Sequence, residues 1–80
     1  MGTEIYVLKG NDYLYGPESW IITVSLDLHF CLDKGYEFLA GEYKEYDNTD
    51  AAAWVNVYVD GEYVRTINML NTEGIIDNER

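Results

Sequence analysis

Three side chains with reactive or metal-ligating chemistry stand two residues apart, Asp27, His29 and Cys31. Alternate residues of an extended strand point to the same side. The three would then project from one face, about 6.6 Å between successive ones. Zinc accepts Asp, His and Cys, and a Cys beside a His is the inventory of a thiolate nucleophile and its base. A straight strand, however, does not bring three successive donors onto one tetrahedron, and strong zinc signatures put paired ligands on tight turns. A solvated polar strand face is the favoured reading. A small metal or Cys–His site at Asp27, His29 and Cys31 stands as the third functional reading.

The element that must carry these residues is the clearest strand pattern in the chain. Over residues 22–32 one face takes Ile22, Val24, Leu26, Leu28, Phe30 and Leu32, and the other takes Thr23, Ser25, Asp27, His29 and Cys31. Asp33-Lys34-Gly35 follows as a turn signal. The pattern predicts a hairpin with Leu32 opposite Tyr36, Phe30 opposite Phe38 and Glu37 opposite Cys31. A second hairpin is predicted over residues 55–67, closed by Asp60-Gly61, a favoured type I′ pair. Its register sets Tyr58 against Tyr63, Val57 against Val64, Asn56 against Arg65 and Trp54 against Ile67. Residues 4–8 read as a further strand. Gly10-Asn11-Asp12 reads as a turn into Tyr13-Leu14-Tyr15, and Gly16-Pro17 closes that piece.

The fold class expected is all-β: a small antiparallel sheet of five or six strands built from hairpins, curled into a barrel or a half-open sandwich. The alternative is α+β with one short helix near 47–54, where Thr49 or Asp50 could cap a turn through Ala51-Ala52-Ala53. Residues 1–80 are expected to form one domain, with 71–80 as a frayed polar tail pinned by Ile75 and Ile76.

Composition narrows the function classes. The 80 residues hold 15 Asp and Glu against 5 Lys and Arg, a formal net charge of -10. Direct binding to nucleic acid is thereby disfavoured, since that affinity comes from cations that displace condensed counterions. Anionic membranes are disfavoured for the same reason. Nor is the chain a disordered acidic tail, because 48% of it is hydrophobic and 15% aromatic. The first ten residues have no apolar run long enough for a leader peptide, and no stretch is long enough to span a bilayer. A single cysteine cannot form an internal disulfide, so a reducing, cytoplasmic setting is expected. The glycines are scattered and make no phosphate loop, and the acids are too many for any two to stand out as a catalytic pair. Residues 47–50 lack the glycine and bidentate glutamate of a calcium loop. No enzymatic activity and no cofactor are expected. Trp20 or Trp54 could at most line a shallow pocket.

The most distinctive stretch runs over residues 41–50, where Glu42, Glu45, Asp47 and Asp50 interleave with Tyr43, Tyr46 and Lys44. Tyrosine offers large contact area at low entropic cost, and eight tyrosines exceed what so small a core buries with satisfied hydroxyls. An acidic, tyrosine-rich surface complements a basic groove, with electrostatic steering and exclusion of like-charged partners. The expected function is a protein-binding module that inhibits a nucleic-acid-binding protein or complex by occupying its basic groove. Glu42, Tyr43, Glu45, Tyr46, Asp47 and Asp50 are the expected contacts, with Asp60 and Glu62 at the other hairpin tip as a second patch. In size, acidity and lack of catalytic motifs the chain resembles small phage-encoded inhibitors, such as anti-CRISPR proteins and uracil-DNA glycosylase inhibitors. That resemblance is one of composition, covers no alignable motif and carries over no residue. The alternative is a self-associating structural or accessory β-domain, a homodimer closing its own sheet edges.

Overall fold

In a computed structural model, which describes residues 2–13, 16, 18–48, 50–69 and 76–77, six elements follow one another. They are β1 (Glu4–Asn11), β2 (Trp20–Ser25), α1 (Leu28–Tyr46), β3 (Ala52–Val59), β4 (Glu62–Met69) and β5 (Ile76–Asp77). All strand pairs are antiparallel, and the sheet order is β2-β1-β3-β4-β5. The sheet is open, with α1 against one face. It is not a barrel. Four strands have full length and the fifth has two residues, so the expectation of five or six strands was too high. The α+β alternative fits, although its helix lies elsewhere.

Alternation places the core. Tyr6, Leu8 and Gly10 of β1 pair with Val57, Val55 and Ala53 of β3, and Val55 and Ala53 pair in turn with Ile67 and Met69 of β4. These side chains lie beneath α1, where Cys31 and Leu39 are fully buried. The helix comes close because Gly35 has no side chain. A Cβ there would collide with Met69 Sδ and stand 2.8 Å from Met69 Cε and 3.3 Å from Leu8 Cδ1.

The structure overturns the predicted long strand. Period two holds only through Ser25, after which Leu28, Cys31, Leu32, Gly35, Tyr36 and Leu39 recur at three- and four-residue steps along α1. Leu28 and Leu32 satisfy both periods, which extended the apparent alternation seven residues too far, from Ser25 to Leu32. Asp27 starts the helix: its backbone is extended and its Oδ1 accepts the His29 N–H at 3.0 Å. Ser25 Oγ accepts the Asp27 N–H at 2.9 Å and fixes the entry. Asp33-Lys34-Gly35 is therefore mid-helix, and the pairings of Leu32 with Tyr36, Phe30 with Phe38 and Glu37 with Cys31 do not exist. The helix expected near 47–54 is corrected too. Asp47, left-handed at φ 51°, ends α1, and β3 begins at Ala52.

The second hairpin forms where the sequence placed it. Asp60 and Gly61 both have positive φ, 53° and 86°, as a type I′ turn requires. Tyr58 faces Tyr63 as expected, with ring centroids 5.9 Å apart. Beyond that pair Val64 bulges, so Val57 faces Arg65, Asn56 faces Thr66 and Trp54 faces Asn68. The predicted turn at Gly10-Asn11-Asp12 comes too early, since Gly10 and Asn11 still belong to β1. Leu14, Tyr15, Pro17 and, apart from Ile76 and Asp77, the 71–80 tail lie outside the described residues.

Candidate protein-binding site

Asp27, His29 and Cys31, the set of the third reading, do not share a strand face, because they fall on the start of α1. Asp27 is the N-cap, His29 points outward, and Cys31 is fully buried, its Sγ donating to the Tyr6 carbonyl at 3.6 Å. Burial, reinforced by the charge of Asp27, pushes the Cys31 thiol above its ordinary pKa. It is a core residue. No three His, Cys, Asp or Glu side chains gather as a cation site among the described residues. No helix among them is long and apolar enough to cross a membrane.

The stretch over residues 41–50 is not a strand but the end of α1 and the corner that follows. Position sets its exposure. Leu39 is the last deeply buried helical residue, and Glu42, Tyr43 and Tyr46 lie three, four and seven positions beyond it, on the same side of the helix. That side remains uncovered at the end, since Leu39 is 0% exposed, Tyr43 38% and Tyr46 63%. Glu45 and Asp47 are exposed beside them, as is Asp50 after the corner. Lys44 is the one cation of the stretch.

Electrostatics there run against helix stability. The last turn carries the negative end of the helix dipole, where carboxylates cost rather than contribute. Yet Glu42, Glu45 and Asp47 stand there, while the first turn holds no acid. At the other half of α1, Lys34 lies 3.6 Å from Glu37 and 5.5 Å from the centre of the Phe30 ring. The acidic field is therefore strongest at the C-terminal end.

Asn48 holds the corner. Although it is polar it is buried, and its Nδ2 donates to the Asp12 carbonyl at 2.8 Å and to Glu42 Oε1 at 2.9 Å. Its Oδ1 accepts the Asp50 N–H at 3.1 Å, and its own N–H reaches the Glu42 carbonyl at 3.0 Å. Glu42, an expected contact, thus also has a structural duty. In the sequence this latch shows only as Asp47-Asn48, residue types that tolerate a left-handed turn.

Asp60 and Glu62 stand apart from this stretch, at the tip of the β3–β4 hairpin. They lie at the far end of β3, about 26 Å from Ala52 by the rise of eight extended residues. Asp60 also ties down the N-terminal segment, accepting the Thr3 N–H on Oδ1 and donating its own N–H to the Thr3 carbonyl, both at 3.0 Å. The eight expected contacts form two separate groups, six at the helix end and two at the hairpin tip.

Of the two tryptophans, Trp20 lines an open cavity of about 280 Å³ with Asn11, Asp12, Gly16, Glu18 and Ser19. Its ring meets Phe38 edge-on, centroids 5.9 Å apart. Trp54 lies on the sheet face away from the helix. Asn11 is buried at the rim, its Oδ1 accepting the Tyr13 N–H at 2.7 Å while Nδ2 finds no partner among the described residues.

Comparison with protein families, with curated proteins and with solved structures finds no match to this chain.

Proposed function

We propose that this chain is a non-enzymatic protein-binding module that inhibits a nucleic-acid-binding protein or complex by occupying its basic groove, in the manner of phage-encoded anti-defence inhibitors. The observation that carries this reading is the uncovered end of α1. Tyr43 and Tyr46 prolong the buried side of the helix into solvent, and Glu42, Glu45, Asp47 and Asp50 surround them. Aromatic anchors ringed by charge are the composition of an interface centre and its rim. Acids on the negative end of a helix dipole oppose folding and strengthen the field toward a cationic partner. Helical geometry also brings Glu42 and Glu45 to about 4.5 Å apart along the axis, closer to the phosphate advance of about 3.4 Å than strand spacing would allow.

Affinity capture from the native host tests it. The partner recovered is expected to be basic and nucleic-acid-binding, released by competing DNA or RNA and by high salt. Combined Glu45→Lys, Asp47→Lys and Asp50→Lys substitution should abolish capture while leaving the Glu42–Asn48 latch intact. Undiminished capture by that variant would exclude the helix end as the contact.

A further inference from the structure

The face of the sheet turned away from α1 has no described element packed on it. Register places Val7 beside Val24, Lys9 between Ile21 and Trp54, and Tyr58 beside Tyr63 on that face. Three of these are more than half exposed: Ile21 at 59%, Val24 at 53% and Tyr63 at 56%. In a chain of net charge -10, strands β1 to β4 put no carboxylate there. Their two acids, Glu4 and Glu62, both pair with Val59 on the helix side. Asp77 of the two-residue β5 pairs its Cα with Asn68 at the sheet edge.

We propose that this face is the interface of a homodimer in which two copies pack sheet against sheet. Charge selects the occupant. A basic partner finds no carboxylate from β1 to β4 on the face, whereas a second copy offers an equally apolar surface and carries its helix-end acids on the opposite side of its sheet. Packed sheets lie about 10 Å apart, with each helix about another 10 Å outward, so the two acidic helices stand about 30 Å from one another. That is several times the Debye length of about 8 Å at physiological salt, and their repulsion is largely screened.

The polar groups on the face already satisfy one another. Tyr63 Oη and Thr66 Oγ1 are 2.6 Å apart, and Thr66 Oγ1 donates to Asn56 Oδ1 at 2.8 Å, so these three enter an interface already paired. Four strands at about 4.8 Å spacing and about 26 Å length present about 500 Å² each. Two such footprints reach about 1,000 Å², the lower bound of a specific interface and the size of a weak, concentration-dependent dimer.

Sedimentation velocity on the full chain, from about 5 to 500 µM, tests this. A dimer should appear with concentration and tighten when salt rises from about 0.05 to 0.5 M. Capture by a basic partner at the helix end responds to salt in the opposite direction, so the two interfaces are separable. Val24→Glu and, independently, Ile21→Lys should each weaken the dimer at least tenfold with circular dichroism unchanged. Glu45→Lys should leave it intact. A monomer throughout the range, or a dimer that survives both face substitutions, overturns the proposal.

Discussion

Asn48 Nδ2 donates to the Glu42 carboxylate at 2.9 Å, so the amide that ends the helix is held by one of the acids the helix displays. The same nitrogen reaches the Asp12 carbonyl, which ties α1 to the connection after β1. The acidic corner is fixed in position before any partner arrives.

Replacing Asn48 should therefore cost more than its size implies. Asn48→Ala removes two donated bonds and the acceptor for the Asp50 N–H. Leaving such buried groups unpaired costs about 1–3 kcal/mol. For a domain of this length the melting temperature should fall by about 4–8 °C per kcal/mol. Asn48→Asp keeps the acceptor but sets a carboxylate against Glu42. Its deficit should be larger at neutral pH and shrink on acidification, as a thermal melt at two pH values will show.

Glu45→Gln separates folding from binding. Glu45 is exposed in the last turn of α1, at the negative end of the dipole. Removing its charge should stabilise the chain by about 0.3–1 kcal/mol in a urea titration at low salt. If the proposed function holds, the same change weakens partner capture. A variant both less stable and equally binding would contradict the placement of the acids and their role together.

Local chemistry in the sequence was enough to place the hairpin at Asp60-Gly61, because the turn type demands residues with positive φ and the pair supplies them. The helix was hidden by coincidence of period. Ile22 and Val24 belong to a strand, while Leu28 and Leu32 lie four apart on a helix, and together they imitate one continuous alternation. Asp27 was the available correction, a capping residue directly before the helical recurrence. Residues 42–50 were legible as an acidic, tyrosine-bearing patch from composition alone. The duty of Glu42 toward Asn48 depends on tertiary placement that no local pattern encodes.

Gly35 should resist even the smallest side chain. Alanine in mid-helix gains about 1 kcal/mol over glycine by propensity. Here the added methyl meets the Met69 and Leu8 side chains in the core, and overpacking of that kind costs about 1–3 kcal/mol. Gly35→Ala is expected to be net destabilising. Met69→Ala opens the space, so the double variant should be more stable than the sum of the two single effects, a coupling that a double-mutant cycle measures directly.

Alkaline pH should reveal the buried thiol. Cys31 is held above its ordinary value of 9.0, chiefly by burial and then by the charge of Asp27. Tyr6 is held above 10.0, first by donating its hydroxyl to Glu4 and then by burial. Both folded-state values exceed the unfolded ones, so below about pH 8.5 each group is protonated in either state and its contribution is complete. As pH rises past the ordinary values the unfolded chain releases its protons first, and stability declines until the folded values are passed. Urea midpoints should fall as the pH rises through the ordinary thiol and phenol values of 9.0 and 10.0. Cys31→Ala removes the thiol's share, so its midpoint, although lower at pH 7 for the lost packing, should stay level to higher pH before Tyr6 takes effect. A thiol reagent at pH 8 should leave native Cys31 unmodified and react once urea opens the fold. Rapid labelling of the native chain, or identical alkaline slopes with and without Cys31, would show that the thiol is not held in the core.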